Sequence, residues 1–298
     1  MHNLPPPNIH RLGFVALALL VSVWLAIAPA QIAPAAQLAA LLVLVVIFGL
    51  PHGALDPWIA EQLGWCQTFK QSVVFNLAYT VTTAAVVVVW LWQPLASLVI
   101  FLLISAWHFS GDWKSDLSAP YRVLAGITLL MLPIGLQTEA VAEIFGHLSG
   151  EQGQRLAYSL ALPTWVLAAT VLGLSAVALW HRKWLCASEY ISLLVLAYVA
   201  SPLVYFIIYF CGLHSPRHLT ALFRRAPIDI RPRLVRMALV YTLATVLLAG
   251  ILWWYWSGLA SDTLILRLVF IGLAAVTVPH MILIALAHLK TRTNLRQS

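Results

Sequence analysis

Six of the ten histidines in this chain stand in or at the ends of apolar segments: His52, His108, His214, His218, His280 and His288. An imidazole surrounded by hydrocarbon needs a polar partner, so ionisable residues in such places are the first to examine for chemistry. His2, His10, His147 and His181 fall in the N-terminal tail or in loops and read as exposed side chains. His214 and His218 are four residues apart, the spacing that lets two imidazoles grip one metal ion from a helix face. With Ser215 as N-cap and Pro216 as first helical residue, His214 would converge on that ion from the preceding turn. A lone His-x-x-x-His can also be two unrelated histidines. His52 and His108 at membrane depth in two further segments make a shared metal the stronger reading.

Two of the histidines carry a matched carboxylate. Asp56 follows His52 by four residues, and Asp112 follows His108 by four. On a helix that spacing puts the carboxylate one turn away on the same face, where it can accept the second ring N–H of a metal-bound histidine and fix its tautomer. The plain alternative is that each aspartate caps a helix end. Pro51 and Pro279 precede His52 and His280, and a kink at each would aim its imidazole at the bundle centre. For Pro279-His280 a kink with no further purpose is the plain alternative. His288, beside Lys290, reads as interfacial, and Cys211 as a small buried filler rather than a thiolate ligand. Ligation by nitrogen alone suits Fe(II), Zn(II) and Cu(II) about equally. An apolar, aromatic-rich interior is a poor place to activate water and a good one to hold a lipid beside an O₂-binding ferrous ion. Trp107, Phe109 and Trp113 surround His108 in sequence, and Tyr205, Phe206, Tyr209 and Phe210 precede His214. They either line a slot for a long conjugated substrate or are ordinary membrane packing.

The scaffold that must position these groups is membranous. Of 298 residues 62% are apolar, against 17 Lys/Arg and 10 Asp/Glu, which excludes a water-soluble domain and a disordered chain. Three cysteines without a C-x-x-C exclude a disulfide scaffold. The net charge of +7 reads as basic loops that set topology and meet anionic headgroups, with no nucleic-acid partner. Charge-free runs predict spans near 12–28, 35–55, 73–92, a segment ending at Trp107-His108, then 121–138, 157–181, 190–213, 237–256 and 266–289. The expectation is an all-α polytopic bundle of about eight to nine spans. It would be a single integral-membrane catalytic domain over 1–298, multi-pass in the inner cell membrane. Basic residues at 182–183 and again at 217–236 flank one predicted span yet both favour the cytoplasm, so a break at Ser201-Pro202 is expected inside it. The 217–236 loop and the basic C-terminus then agree as cytoplasmic, and 137–156, with three glutamates, suits an outside or interfacial helix. Arg11 before an apolar run with Ala28-Pro29-Ala30 after it has the outline of a cleaved signal peptide. The thin positive region and the immediate next span favour a retained first helix.

At the strings Gly49-Leu50-Pro51-His52-Gly53-Ala54-Leu55-Asp56, His108-Phe109 followed by Asp112, His214-Ser215-Pro216-Arg217-His218 and Pro279-His280, the sequence resembles the Brp/Blh family of membrane β-carotene 15,15′-dioxygenases. The resemblance covers most of the chain. It implies an Fe(II) enzyme that cleaves the central double bond of β-carotene with O₂ into two retinal molecules, with a rhodopsin as a possible user of the product. It also implies His52, His108, His214 and His218 as iron ligands, with His280 a possible further site residue. Ser110 stands where Gly often follows His-Phe, and Leu213 where Trp often precedes His-Ser, both positions expected beside a bound polyene. The rival readings are another histidine-metal membrane oxygenase acting on a lipid or a different carotenoid, a b-type cytochrome, and a carotenoid or retinal carrier. A desaturase is disfavoured, because no His-His pair occurs.

Overall fold

The computed structural model describes residues 9–28 and 32–297, side chains excepted at 288 and 291–297. His2, Pro29, Ala30 and the side chain of His288 lie outside the described residues. The described secondary structure is helical throughout. It runs α1 (Ile9–Ile27), α2 (Pro34–Leu44), α3 (Asp56–Gln62), α4 (Phe69–Trp92), α5 (Pro94–Ser110), α6 (Ala119–Leu136) and α7 (Thr138–Ser149). It continues with α8 (Glu151–Leu160), α9 (Thr164–Trp180), α10 (Trp184–Val199), α11 (Pro202–Tyr209), α12 (Ser215–Arg225), α13 (Arg231–Tyr255) and α14 (Ser261–Gln297).

Helix boundaries follow local chemistry. Thr68 and Gln71 form a reciprocal capping box that starts α4. Proline opens α2, α5 and α11 near their first turn, where its missing N–H leaves no helical bond unmade. Ser201 caps α11, accepting from the Val204 N–H, so the expected break at Ser201-Pro202 is present. It divides the 190–213 stretch into α10, whose 16 residues fall short of the roughly 20 that a crossing needs, and a helical run that begins with α11 and continues past 213 through His214 and Arg217. At Pro163 the chain bends by 62° between α8 and α9, so the 157–181 segment is no straight span. Among the described residues seven helices are long and apolar enough to cross a membrane, or eight if the bent pair crosses as one. Eight meets the lower edge of the expectation and seven falls one short of it; of the nine predicted spans, the 190–213 stretch is missing in either count and the bent 157–181 segment in the lower one.

The outer surface is that of a protein solvated by hydrocarbon. Leu77, Val81 and Val88 on α4, and Leu239, Leu243, Leu247 and Ile251 on α13, are all exposed. A water-soluble surface rarely carries such continuous apolar faces. The core joins α1, α2, α5, α6, α9, α10 and α11, and Phe14 and Ala18 bury α1 within it. A second cluster packs α4, α5, α7 and α14 around Trp90, Leu98, Phe145 and Ile271. His10 lies in the first turn of α1 and is half-buried. His147 is half-buried in α7, with Nδ1 2.8 Å from Thr263 Oγ1, while His181 is exposed as expected. Reading His10 and His147 as exposed loop residues overlooked that helices extend past the apolar runs.

The helix pair that carries His108 meets at a glycine. A Cβ on Gly126 of α6 would lie 2.1 Å from the Ala106 carbonyl oxygen of α5, a backbone atom that cannot step aside. Gly126→Ala should therefore cost about 1–3 kcal/mol and lower the thermal unfolding midpoint in detergent. An unchanged midpoint would contradict this close approach.

Candidate metal centre

Two short departures from α-helix deliver the histidines. α2 widens into a π turn at Val45–Gly49 and then tightens into a 3₁₀ turn at Leu50–Leu55 that carries His52. α11 likewise runs into a π turn at Phe210–His214 before α12 begins. Such turns shift the angular register of a helix and occur most often at functional sites. The two π turns pack on each other. A Cβ on Gly49 would lie 2.6 Å from Phe210, and Cys211 Sγ stands 3.4 Å from the Leu44 carbonyl in its expected filler position. Ser215 does not cap α12 as expected. The backbone runs on helically through His214, and the Ser215 hydroxyl donates across to the Phe48 carbonyl.

Five imidazoles converge. Ring centroids lie 4.8 Å apart for His108 and His214, 4.7 Å for His214 and His218, 5.2 Å for His52 and His214, and 5.4 Å for His108 and His280. Ligand nitrogens of His52, His108 and His280 all lie within 4.8 Å of one another, as do those of His108, His214 and His218. Three of the rings have their tautomer set by an acceptor at Nδ1. His52 Nδ1 is 2.6 Å from the Gly49 carbonyl, His280 Nδ1 2.7 Å from Asp56 Oδ1, and His214 Nδ1 3.1 Å from both Asp112 oxygens. Each acceptor requires Nδ1 to carry the hydrogen, which leaves Nε2 with its lone pair. The Nε2 atoms of His214 and His280 are buried with no hydrogen-bond partner. An orphaned buried lone pair is costly, and a metal ion among the rings would satisfy both.

The carboxylates serve different histidines from those the spacing named. Asp56 faces His280, and Asp112 faces His214, with His218 Nε2 3.5 Å away. The four-residue rule assumed α-helical rotation. His52 to Asp56 instead crosses a 3₁₀ turn of three residues per turn, so Asp56 arrives about 120° off the His52 face. Asp112 lies in a second 3₁₀ turn, Gly111–Trp113, and rotates away from His108 in the same manner. Each buried aspartate also takes a tyrosine hydroxyl, Tyr79 at 2.9 Å and Tyr209 at 2.5 Å.

Glu189, fully buried, accepts from Arg11 (2.6 Å), Arg217 (2.7 Å) and Trp113 Nε1 (2.9 Å), while Arg11 pairs with Asp116 at 3.0 Å and Lys183 stands 4.0 Å from Asp116. The Asp56 and Asp112 carboxylates instead meet tyrosine hydroxyls and imidazoles, and a divalent ion on those imidazoles would bring positive charge beside both. Arg217 also donates 2.5 Å to the Asp112 carbonyl, so the salt-bridge cluster holds the turn that carries Asp112. Sequence reasoning missed Tyr79, Glu189 and Arg217. Glu189 carried a signal, being the single acid in the apolar 184–213 stretch.

A cavity opens beside the rings, lined by His52, His108, His280, Phe101, Phe109 and Phe210 among others. A second adjoins it and is lined in part by Phe109, Tyr205, Phe206 and Tyr209. Trp107 is a correction: it is 59% exposed on the outer face of α5 and lines neither cavity. Trp113 is wholly buried and turned toward Glu189. Ser110 bonds the Trp107 carbonyl and Leu213 is fully buried, so neither borders a cavity.

The sequence model of the β-carotene 15,15′-dioxygenase family matches residues 43–288. The chain belongs to that family. A β-carotene 15,15′-dioxygenase from uncultured marine bacterium 66A03 is 32% identical over 251 residues, covering 82% of this chain and 91% of that protein. The probable β-carotene 15,15′-dioxygenase Blh of Halobacterium salinarum is 25% identical over 285 residues, 82% of this chain and 81% of that one. No solved structure matches.

In this dioxygenase family member the carboxylate pairing is directly testable. Asp56→Asn should weaken metal retention about 10- to 100-fold, measured by chelator competition. Because Asp56 acts through His280, the loss should be much smaller in a His280→Ala background, yet persist in His52→Ala. The reverse pattern would contradict the pairing.

Proposed function

We propose that this protein is an iron(II)-dependent β-carotene 15,15′-dioxygenase that works within the inner cell membrane, the whole chain forming one catalytic domain. One observation carries the reading: the unpartnered Nε2 atoms of His214 and His280 sit in a ring of five imidazoles that borders an apolar cavity. His52, His108, His214, His218 and His280 would hold the iron, with His218, its side chain 34% exposed, on the outer side of the set. Iron bound there supplies the redox chemistry that lets O₂ react with an alkene. Family membership supports a redox metal, where ligand softness alone leaves Zn(II) open.

The chain's own groups hold and shield. Asp56, Asp112 and the Gly49 carbonyl keep the Nδ1–H of His280, His214 and His52 in place, so each ring turns Nε2 inward. Phe101, Phe109, Phe206 and Phe210 exclude water from the cavity and offer flat faces to a polyene. A carotene has no polar atom, so its orientation comes from shape and van der Waals contact alone. Cleavage adds one oxygen atom of O₂ to each carbon of the double bond and releases two aldehydes, with no net proton to supply. No side-chain acid or base is needed, in keeping with carboxylates that point at imidazoles rather than into the cavity. A rhodopsin would be one user of the retinal.

Expression in bacteria that accumulate β-carotene should bleach the cells and yield retinal. His52→Ala, His214→Ala and His280→Ala should each abolish both when compared at matched membrane levels of protein. Bleaching by His280→Ala at the wild-type rate would remove His280 from the site. No retinal from wild type, despite iron loading, would move the reading to another lipid or to a carrier.

A further inference from the structure

The two cavities adjoin at Phe101, Ser105, Phe109 and Phe206, which line both, and movement of these side chains would join them into one slot. Its length can be read along α5. Phe109 packs on the His214 ring at 4.9 Å, and Leu98, at the other end of the lining, is 11 residues away, about 16 Å at helical rise. α7 meets the slot with Val141, Ile144, Phe145 and Leu148, and all but the half-buried Ile144 belong with Leu98 to one buried cluster. The α7 wall therefore stands at the end remote from the histidines.

Beyond Ser105, at the junction with the first cavity, that remote half has no free side-chain polar group to offer a ligand. No charged residue lines it, and its two tyrosine hydroxyls are engaged elsewhere, Tyr205 donating to the Leu129 carbonyl at 3.0 Å and Tyr209 to Asp112. A stiff hydrocarbon can slide in such a slot, since no hydrogen bond marks one position along it as better than another. Register must come from a stop. α7 is built as one: Trp90 Nε1 donates to the Leu148 carbonyl at 3.3 Å, Arg267 Nε to the His147 carbonyl at 2.9 Å, and Thr263 holds the His147 ring. Three polar contacts from α4 and α14 thus fix a helix whose apolar side faces the slot.

We propose that the α7 face of Val141, Ile144, Phe145 and Leu148 is the stop against which the buried end of the polyene rests, and that it selects the double bond presented to the imidazoles. The proposal rests on the carotene-cleaving reading above. Cutting α7 side chains back should let the substrate advance, so that a bond off the centre is cleaved. One O₂ is still consumed per cleavage and each oxygen ends in an aldehyde, but the fragments are unequal.

The test is chromatography of the products that iron-loaded wild type, Ile144→Ala and Phe145→Ala form from β-carotene. Wild type should give retinal alone. The variants should give, beside retinal, a matched pair of one longer and one shorter apocarotenal, each at least tenfold above the wild-type background, with the larger share from Phe145→Ala. Phe145 is buried and its truncation can unfold the bundle, whereas half-buried Ile144→Ala should fold and keep turnover. Retinal as sole product of a folded, active Ile144→Ala would overturn the proposal. Loss of turnover in that variant with iron and fold intact would overturn it too, because a stop governs position and not reactivity. No retinal from wild type would instead refute the underlying reading.

Discussion

Two carboxylates buried in an apolar bundle are the constraint around which the rest of the structure is arranged. An isolated charge in such an interior is prohibitively costly, so every oxygen of Asp56 and Asp112 must find a donor. Each aspartate takes one tyrosine hydroxyl and the Nδ1–H of one histidine. Those contacts orient the rings outward from the carboxylates and inward toward one another. What remains is a set of imidazole lone pairs beside two carboxylates, which a divalent ion would satisfy together. The arginine pair nearby ion-pairs with Glu189 and Asp116.

Regular helices could not make this arrangement alone. A histidine and an aspartate on one straight helix face would pair with each other and would not cross-link distant segments. The π and 3₁₀ turns around residues 45–55, 111–113 and 210–214 change the rotation per residue, so that Asp56 reaches α14 and Asp112 reaches the start of α12. The two pairings tie sequence positions more than 100 residues apart. They therefore hold the bundle together as well as the site. Close approach at Gly49, where any side chain would strike Phe210, is what permits the two π turns to touch.

Much of this is legible in the sequence. Charge-free runs point to the helical membrane bundle, and the cost of placing an imidazole in hydrocarbon singles out His52, His108, His214, His218, His280 and His288, the last read as interfacial. The break at Ser201-Pro202 followed from basic residues that could not both be cytoplasmic across an intact span. Partner identity was not legible, because a four-residue spacing means one thing on an α-helix and another across a 3₁₀ turn, and the sequence around Pro51 does not say which. Trp107 was misplaced for a related reason: neighbours in sequence to a site residue point to different sides of its helix. Tyr79 carried no signal at all, since its meaning depends on an aspartate 23 residues away.

The central claim is that the buried imidazoles hold one iron whose charge answers Asp56 and Asp112. X-ray absorption at the iron edge, on protein loaded anaerobically with one Fe(II) per chain, addresses it most directly. The account predicts stoichiometric, tightly held iron with a shell of light atoms and strong imidazole multiple scattering, weakened in His214→Ala and His280→Ala alike. A sulfur scatterer in the shell, or full turnover by protein stripped of iron, would contradict it.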